Sequence, residues 1–65
     1  MDNIYIAEAI FQILREERQT VTDLITCGNV KSMEEYRELM GRIKSLELVE
    51  QELKILLEKQ ERFND

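Results

Sequence analysis

A chain of 65 residues with a net charge of −5 makes one domain at most, near the size at which a single core is only marginally stable. Its nine basic residues are interleaved with fourteen acidic ones, so it lacks the clustered positive charge that displaces counterions from nucleic acids. The content of 35% charged and 43% hydrophobic residues excludes an obligately disordered chain and is typical of long helices and coiled coils. We therefore expect an all-α protein that binds no nucleic acid.

The N-terminal segment, residues 4–14, is apolar at nine of eleven positions, which raises the question of a membrane or targeting role. It is too short to span a bilayer, and it lacks the basic region and cleavage site of a signal peptide. Cys27 is the only cysteine, so no disulfide can form within the chain. We expect a soluble, cytoplasmic protein that does not bind membranes.

The first predicted helix runs from about residue 3 to residue 27. Asp2 or Asn3 can cap the free N–H groups of its first turn. Gly28 follows the helix and suits the left-handed conformation that closes many helix C-termini. The apolar residues recur at helical spacings of three, four and seven: Ile4, Ala7, Ile10, Phe11, Leu14, Val21, Leu24 and Ile25.

A second helix is predicted from about residue 33 to residue 62, after a turn over residues 28–31. Ser32 and Glu35 have the spacing of a capping box, in which the serine accepts a hydrogen bond from the Glu35 N–H and the Glu35 carboxylate reaches back. A heptad repeat then indicates a coiled-coil-like seam with one polar interior member, Glu50. Its positions are Tyr36, Leu39, Ile43, Leu46, Glu50, Leu53, Leu57 and Gln60.

The short connection makes the two helices antiparallel, so residues 1–65 should form a single helical hairpin. Its open end, residues 4–14 and 46–57, is apolar on more sides than one neighbouring helix can cover. Leaving such side chains in water forgoes about 1.5–3 kcal/mol each. We predict that oligomerisation or docking onto another protein completes the fold through these residues: Ile6, Ile10, Ile13, Leu48, Val49, Ile55 and Leu56.

The middle of the hairpin is polar apart from a few positions. Gly41 inside the second helix costs about 1 kcal/mol relative to alanine, which predicts a close approach of the first helix. Glu16 and Glu17 of the first helix are expected near Arg42 and Lys44 of the second. These charges either pair across the hairpin or remain solvated, and the sequence leaves both alternatives open.

The residues form no catalytic constellation. Histidine, the commonest general base and a common metal ligand, is absent. Cys27 lies at the C-terminal end of a predicted helix, where the dipole disfavours a thiolate, and we interpret it as a packing or incidental residue. The glutamates lack the Glu-x-x-His motif of helical-bundle metal sites. We expect no enzyme activity, no cofactor and no metal ion.

Two segments of the second helix carry a resemblance to a known class of proteins. YRELMGRI at residues 36–43 and ELKILLE at residues 52–58 resemble small helical proteins of tailed bacteriophages, encoded by short reading frames among the structural genes. The Glu-Arg-Gln of residues 17–19, before the apolar segment at the turn, is similar as well. The resemblance implies a role in the virion or its assembly, with no catalytic residues.

Two functions therefore remain open. The first is a phage structural or assembly component that binds another copy of itself or another phage protein, made in the cytoplasm and then located in the virion. The second is a small acidic regulator or inhibitor of a host protein, which the charge of −5 would steer to a basic surface.

Overall fold

The computed structural model describes the backbone of residues 3–64 and the side chains of residues 4–60. It contains two helices, α1 (Asn3–Thr26) and α2 (Met33–Asn64), which pack against each other, and no strand between residues 3 and 64. The predicted all-α hairpin is confirmed. The connection is one residue longer at each end than predicted, and α2 continues two residues further. The predicted cap at Asp2 or Asn3 lies outside the described side chains.

The end of α1 follows the predicted geometry. Gly28 has a φ of 83°, the left-handed conformation that glycine adopts without the steric cost of a Cβ atom. The Cys27 N–H still donates to the Asp23 carbonyl oxygen at 3.0 Å, so helical hydrogen bonding persists to the residue before the glycine. The chain therefore leaves the helix at Gly28.

The start of α2 resembles a capping box, with the returning carboxylate bonded one residue before the cap. The Glu35 N–H donates to Ser32 Oγ at 3.1 Å, and the Tyr36 N–H donates to the Ser32 carbonyl oxygen at 3.1 Å. The Glu35 carboxylate reaches back and accepts from the Lys31 N–H at 3.4 Å. Glu34 and Glu35 also place negative charge in the first turn, where the helix dipole favours it. The predicted helix start is confirmed.

The predicted heptad of α2 is the face that packs on α1 from Leu39 onward. The least exposed side chains of this part of the helix are Leu39, Met40, Ile43, Leu46, Glu50, Leu53, Leu57 and Gln60. Tyr36, which the heptad included, is 40% exposed, so its place in the seam was predicted wrongly. The reason is that Tyr36 lies in the first turn of α2, at the end of the hairpin, where the facing helix has little further length to cover it.

The seam of α1 has the same alternation of four- and three-residue steps. Its members are Ala7, Phe11, Leu14, Arg18, Val21 and Ile25, all buried or half-buried. Three residues of the predicted apolar stripe, Ile4, Ile10 and Leu24, are instead exposed. Each seam thus contains one charged residue: Arg18 in α1 and Glu50 in α2.

The hairpin is a thin rod with little interior. Its principal extents are 51 × 17 × 12 Å, and its radius of gyration is 15.3 Å, against about 11 Å for a compact chain of this length. Among the described side chains, only Ala7, Val21 and Leu39 are buried. Within residues 3–64, neither helix is long and apolar enough to cross a membrane. Two helices facing each other cover one stripe apiece and leave the rest of each cylinder in solvent.

Candidate interaction surface

The two seams divide the hairpin into two faces. Because the helices are antiparallel, residues directly before seam positions lie on one face in both helices, and residues directly after them lie on the other. One open groove is lined by four residues that directly precede seam positions, namely Glu17, Glu38, Arg42 and Ser45. Val21, Gly41 and Leu46 complete its lining. The other contains Arg18, Glu50 and three residues that follow seam positions: Glu47, Gln51 and Lys54. We call these sides the front face and the back face.

The front face is apolar on both helices at the open end of the hairpin. Five large side chains directly precede seam positions there: Ile6, Ile10, Ile13, Val49 and Leu56. Leu48 and Ile55 lie one residue earlier and extend this surface around the outer side of α2. All seven side chains are exposed, and the accessible fraction of Ile13 reaches 63%. We call these seven residues the open-end apolar surface.

The open-end apolar surface consists of the residues that the sequence pattern predicted to need a partner. The structure brings them together on one side of the molecule and leaves them uncovered by the chain itself. That a partner binds there stays a prediction. The sequence spacing places five of these residues directly before a seam position and the other two, Leu48 and Ile55, one residue further out.

The back face is polar at the same end. The side chains that directly follow seam positions there are Glu8, Gln12, Arg15, Gln51, Lys54 and Glu58. Tyr5, seven residues before Gln12 and therefore on the same side of α1, is an apolar exception with 63% exposure. The hairpin thus has one face suited to burial and one suited to water at its open end.

A charged cluster centred on Glu50 interrupts the seam. The Glu50 side chain is only 12% exposed, and Arg18 Nη1 donates to its Oε2 at 3.2 Å. Arg15 Nε lies 3.8 Å and Lys54 Nζ 4.0 Å from Oε1. Three cations around one carboxylate compensate its removal from water. A polar residue at a seam position favours one alignment of the helices, because any other alignment would leave its charge unpaired.

Arg18 occupies a seam position that the apolar periodicity does not predict. A charged residue does not register in a search for apolar periodicity, although its four- and three-residue distances to Leu14 and Val21 continue the repeat. Arg15, outside the seam, adds a second contact of its own, since its guanidinium carbon lies 5.8 Å from the centre of the Phe11 ring. The spacing of Arg18 from Leu14 and Val21 is the feature of the sequence that indicates its place in the seam.

The charges in the middle of the hairpin remain solvated. Glu16, Glu17, Arg42 and Lys44 are all exposed, and none of the ion pairs between described residues joins them. The pairs across the hairpin converge instead on Glu50. Side chains lean toward the N-terminus of their own helix, so arginines of α1 lean toward the open end while Glu50 leans toward the turn. This convergence lets residues on different levels of the hairpin meet.

The expected close approach of α1 to Gly41 is wrong. A Cβ atom added at Gly41 would meet no neighbouring atom within 4 Å. Gly41 instead lines the front-face groove together with Arg42 and Ser45. The missing side chain widens this groove, and the hairpin itself does not require glycine at this position.

The turn end is less completely packed than its apolar content indicates. Leu24, Met33 and Tyr36 are exposed, although Val21 and Leu39 nearby are buried. Cys27 is exposed as well, so it is not a packing residue; its Sγ lies 3.4 Å from the Leu24 carbonyl oxygen. These side chains lie at the end of the hairpin, in or beside the last turn of α1 and the first turn of α2.

Comparison with protein families, with curated proteins and with solved structures finds no match to this chain. Across the described part of the chain, no group of three or more histidine, cysteine or acidic side chains is arranged to hold a metal ion. The residues that are brought together therefore form an exposed apolar surface and a cluster of compensated charges.

Proposed function

We propose that this protein is a non-catalytic helical interaction protein that self-associates or docks through the open-end apolar surface. The observation that supports this is the exposure of seven large apolar side chains on one part of a hairpin that buries only three residues among those described. Soluble monomers rarely expose an apolar patch of this kind unless it binds something. The proposal includes no bound cofactor, nucleic acid or membrane.

The total accessible surface supports the same proposal. The chain exposes 5446 Å². A folded monomer of 7.8 kDa exposes about 4,400 Å², so the excess is about 1,000 Å². Because a standard interface removes about 800 Å² from each partner, the excess is large enough for one such interface.

The biological setting that we propose is a bacteriophage particle or its assembly. This part of the proposal is supported by the resemblance of residues 36–43 and 52–58 to small helical phage proteins. A thin hairpin with one apolar and one polar side also suits a component that fills a narrow space between larger proteins. Such a role needs a complementary surface and no reactive group.

Two measurements test the proposal. Mass spectrometry of particles from the phage that encodes the chain should find it at a fixed stoichiometry, and its absence would contradict the virion role. Ile13→Glu should abolish association, whereas Met33→Glu should preserve it. The two side chains are 63% and 62% exposed in the hairpin, so they differ in location and not in accessibility. Equal loss in both variants would contradict the assignment of the open end.

A small acidic regulator of a host protein is the second candidate, and the charge of −5 favours it. Exposed carboxylates such as Glu8, Glu47 and Glu58 lie on the back face and would steer the protein to a basic surface. Pull-down from host lysate separates the candidates. One host protein captured at low salt and released at high salt, with no protein in particles, favours the regulator.

A further inference from the structure

We propose that a second copy of this chain covers the open-end apolar surface, and that two hairpins pack in parallel, front face to front face. The result is a four-helix bundle in which α1 of each copy lies over α2 of the other. This inference rests on the proposed function, because it identifies the partner of the same surface. It is supported by the repeat of the exposed residues, the small core, the area required and the charges on the front face.

The exposed residues of α1 repeat like a second seam. Ile6, Ile10 and Ile13 are separated by four and three residues, the same steps as in the seam that packs on α2. On α2, Leu48 and Val49 recur seven residues later as Ile55 and Leu56. A seven-residue repeat matches another helix lying nearly parallel to the first, not a flat or irregular surface. The partner is therefore helical along this length, and this chain itself carries that repeat on both of its helices.

A second copy also supplies the core that the hairpin lacks. Single hydrophobic cores in chains shorter than about 70–80 residues rarely stabilise them by more than 3–5 kcal/mol. Only Ala7, Val21 and Leu39 are buried among the described side chains. Two hairpins stacked by their front faces form a four-helix bundle, in which the exposed Ile10, Val49 and Leu56 become interior residues.

An interface of standard size would occupy most of the front face. An interface that removes about 800 Å² from each partner is nearly the product of the 51 Å length and 17 Å width of the hairpin. An overlap limited to the open ends would cover a fraction of this. Full overlap in an antiparallel sense would place the open-end apolar surface over the turn end of the other copy. Parallel stacking places the open-end apolar surface of each copy on that of the other, while the polar residues that line the front-face groove meet each other.

The charges on the front face fit this parallel arrangement. Glu17 of α1 and Arg42 of α2 both line the front-face groove and are exposed, without an ion pair to each other. A twofold axis along the hairpin places α1 over α2 of the other copy, so Glu17 of each copy lies at the level of Arg42 in the other. Gly41, which the isolated hairpin does not require, leaves room in the same groove for side chains of the second copy.

Mixing two charge-reversal variants of the full chain tests the inference. In Glu17→Arg homodimers, arginine faces Arg42, and in Arg42→Glu homodimers, glutamate faces Glu17, so each variant alone should dimerise about tenfold more weakly than the original chain. Mixed together, they should form heterodimers, because both intermolecular pairs are then Arg with Glu. If Glu17 instead paired with Arg42 of the same chain, mixing would give no preference for heterodimers, because each variant chain would still carry two like charges at these positions.

The matched control uses the same charge changes away from the front face. Glu16→Arg and Lys44→Glu lie at exposed positions on the outer side of α1 and on the back face. Mixing these two variants should give no preference for heterodimers. Sedimentation equilibrium supplies the dissociation constants, and far-UV circular dichroism verifies that every variant is helical.

A second measurement uses the original sequence and needs no charge variant. Spin labels on the exposed Cys27, at the turn end, should lie closer together in the dimer than the 51 Å length of one hairpin. A longer distance, or no preference for heterodimers, overturns the parallel arrangement. A folded monomer at every concentration would show that a second copy is not the partner. In that case the proposed function still stands if Ile13→Glu prevents incorporation into particles. It fails if the original chain is absent from particles.

Discussion

Glu50 shows what a carboxylate requires in order to occupy the seam of a coiled coil. Its side chain is almost withdrawn from solvent, and Arg18 reaches it from the facing helix with a hydrogen bond of 3.2 Å. Arg15 and Lys54 lie near its second oxygen, and both remain more than half exposed. The three cations compensate the desolvation of the Glu50 carboxylate, while Arg15 and Lys54 themselves stay hydrated.

Replacing Glu50 tests what its charge contributes to the free energy of unfolding. We expect Glu50→Ala to lower the free energy of unfolding by about 1 kcal/mol, because the seam loses packing and a charged hydrogen bond. The double variant Arg18→Leu with Glu50→Leu should instead raise it by about 1 kcal/mol, since no unpaired charge remains in an apolar seam. Urea unfolding followed by circular dichroism measures both. Glu47→Ala, at an exposed position of α2, is the control and should have little effect.

The two glycines should respond to alanine in opposite directions. Gly41→Ala should raise the free energy of unfolding by up to about 1 kcal/mol, because the added Cβ meets nothing within 4 Å and glycine is a poor helix former. Gly28→Ala should lower it by about 1–2 kcal/mol, since a φ of 83° is strained for alanine. Thermal unfolding of both variants at a concentration where the chain is monomeric measures these changes; destabilisation by Gly41→Ala under that condition would indicate a close approach of α1 to Gly41.

At the scale of the elements, α2 starts with local hydrogen bonds that do not depend on α1. Ser32 accepts the Glu35 N–H, and Glu35 accepts the Lys31 N–H. Both bonds join residues three or four apart, so the sequence specifies them directly. The packing face of α2 is equally local in origin, because a heptad places its members on one side of any helix.

The cap of α2 can be tested by deleting one hydroxyl. Ser32→Ala should lower the free energy of unfolding by about 1 kcal/mol, because the Glu35 N–H then loses its partner in the chain. Ser45→Ala, at an exposed position inside the same helix, should leave stability equal or slightly higher, since alanine is the better helix former. Denaturant midpoints of the two variants give the comparison, and equal loss in both would argue against the cap.

At the scale of the whole molecule, the hairpin leaves much of its apolar surface exposed. It extends over 51 Å and is only 12–17 Å thick, so nearly every residue lies close to solvent. Seven of the exposed apolar side chains form the open-end apolar surface, while others, among them Tyr5, Leu24 and Met33, lie elsewhere on the hairpin. A partner that removes the open-end apolar surface from water therefore contributes directly to the stability of the fold.

Stability should consequently depend on protein concentration. If association and folding are linked, an increase in concentration of about tenfold should raise the midpoint of thermal unfolding by about 5 °C. Far-UV circular dichroism follows this midpoint across a dilution series. A midpoint that stays constant over the series would mean that the hairpin is stable as a monomer.

Most of the architecture could be predicted, because it depends on neighbours in the chain. The two helices, the left-handed Gly28, the Ser32 cap and the α2 seam from Leu39 to Gln60 all follow from spacing and local hydrogen bonding. Tyr36 was misplaced, since a heptad does not indicate where the facing helix stops. Arg18 was missed because apolar periodicity does not register a charge.

The sequence by itself determined which elements form and which stripe of each helix is apolar, since both depend on hydrogen bonds and spacings within a few residues. Only the tertiary structure decided what lies across from what: the partners of Glu50, the open space beside Gly41 and the side of the hairpin on which the seven exposed residues meet. Those features depend on the relative rotation of two helices and on how far long side chains reach between them. Neither helix encodes these alone.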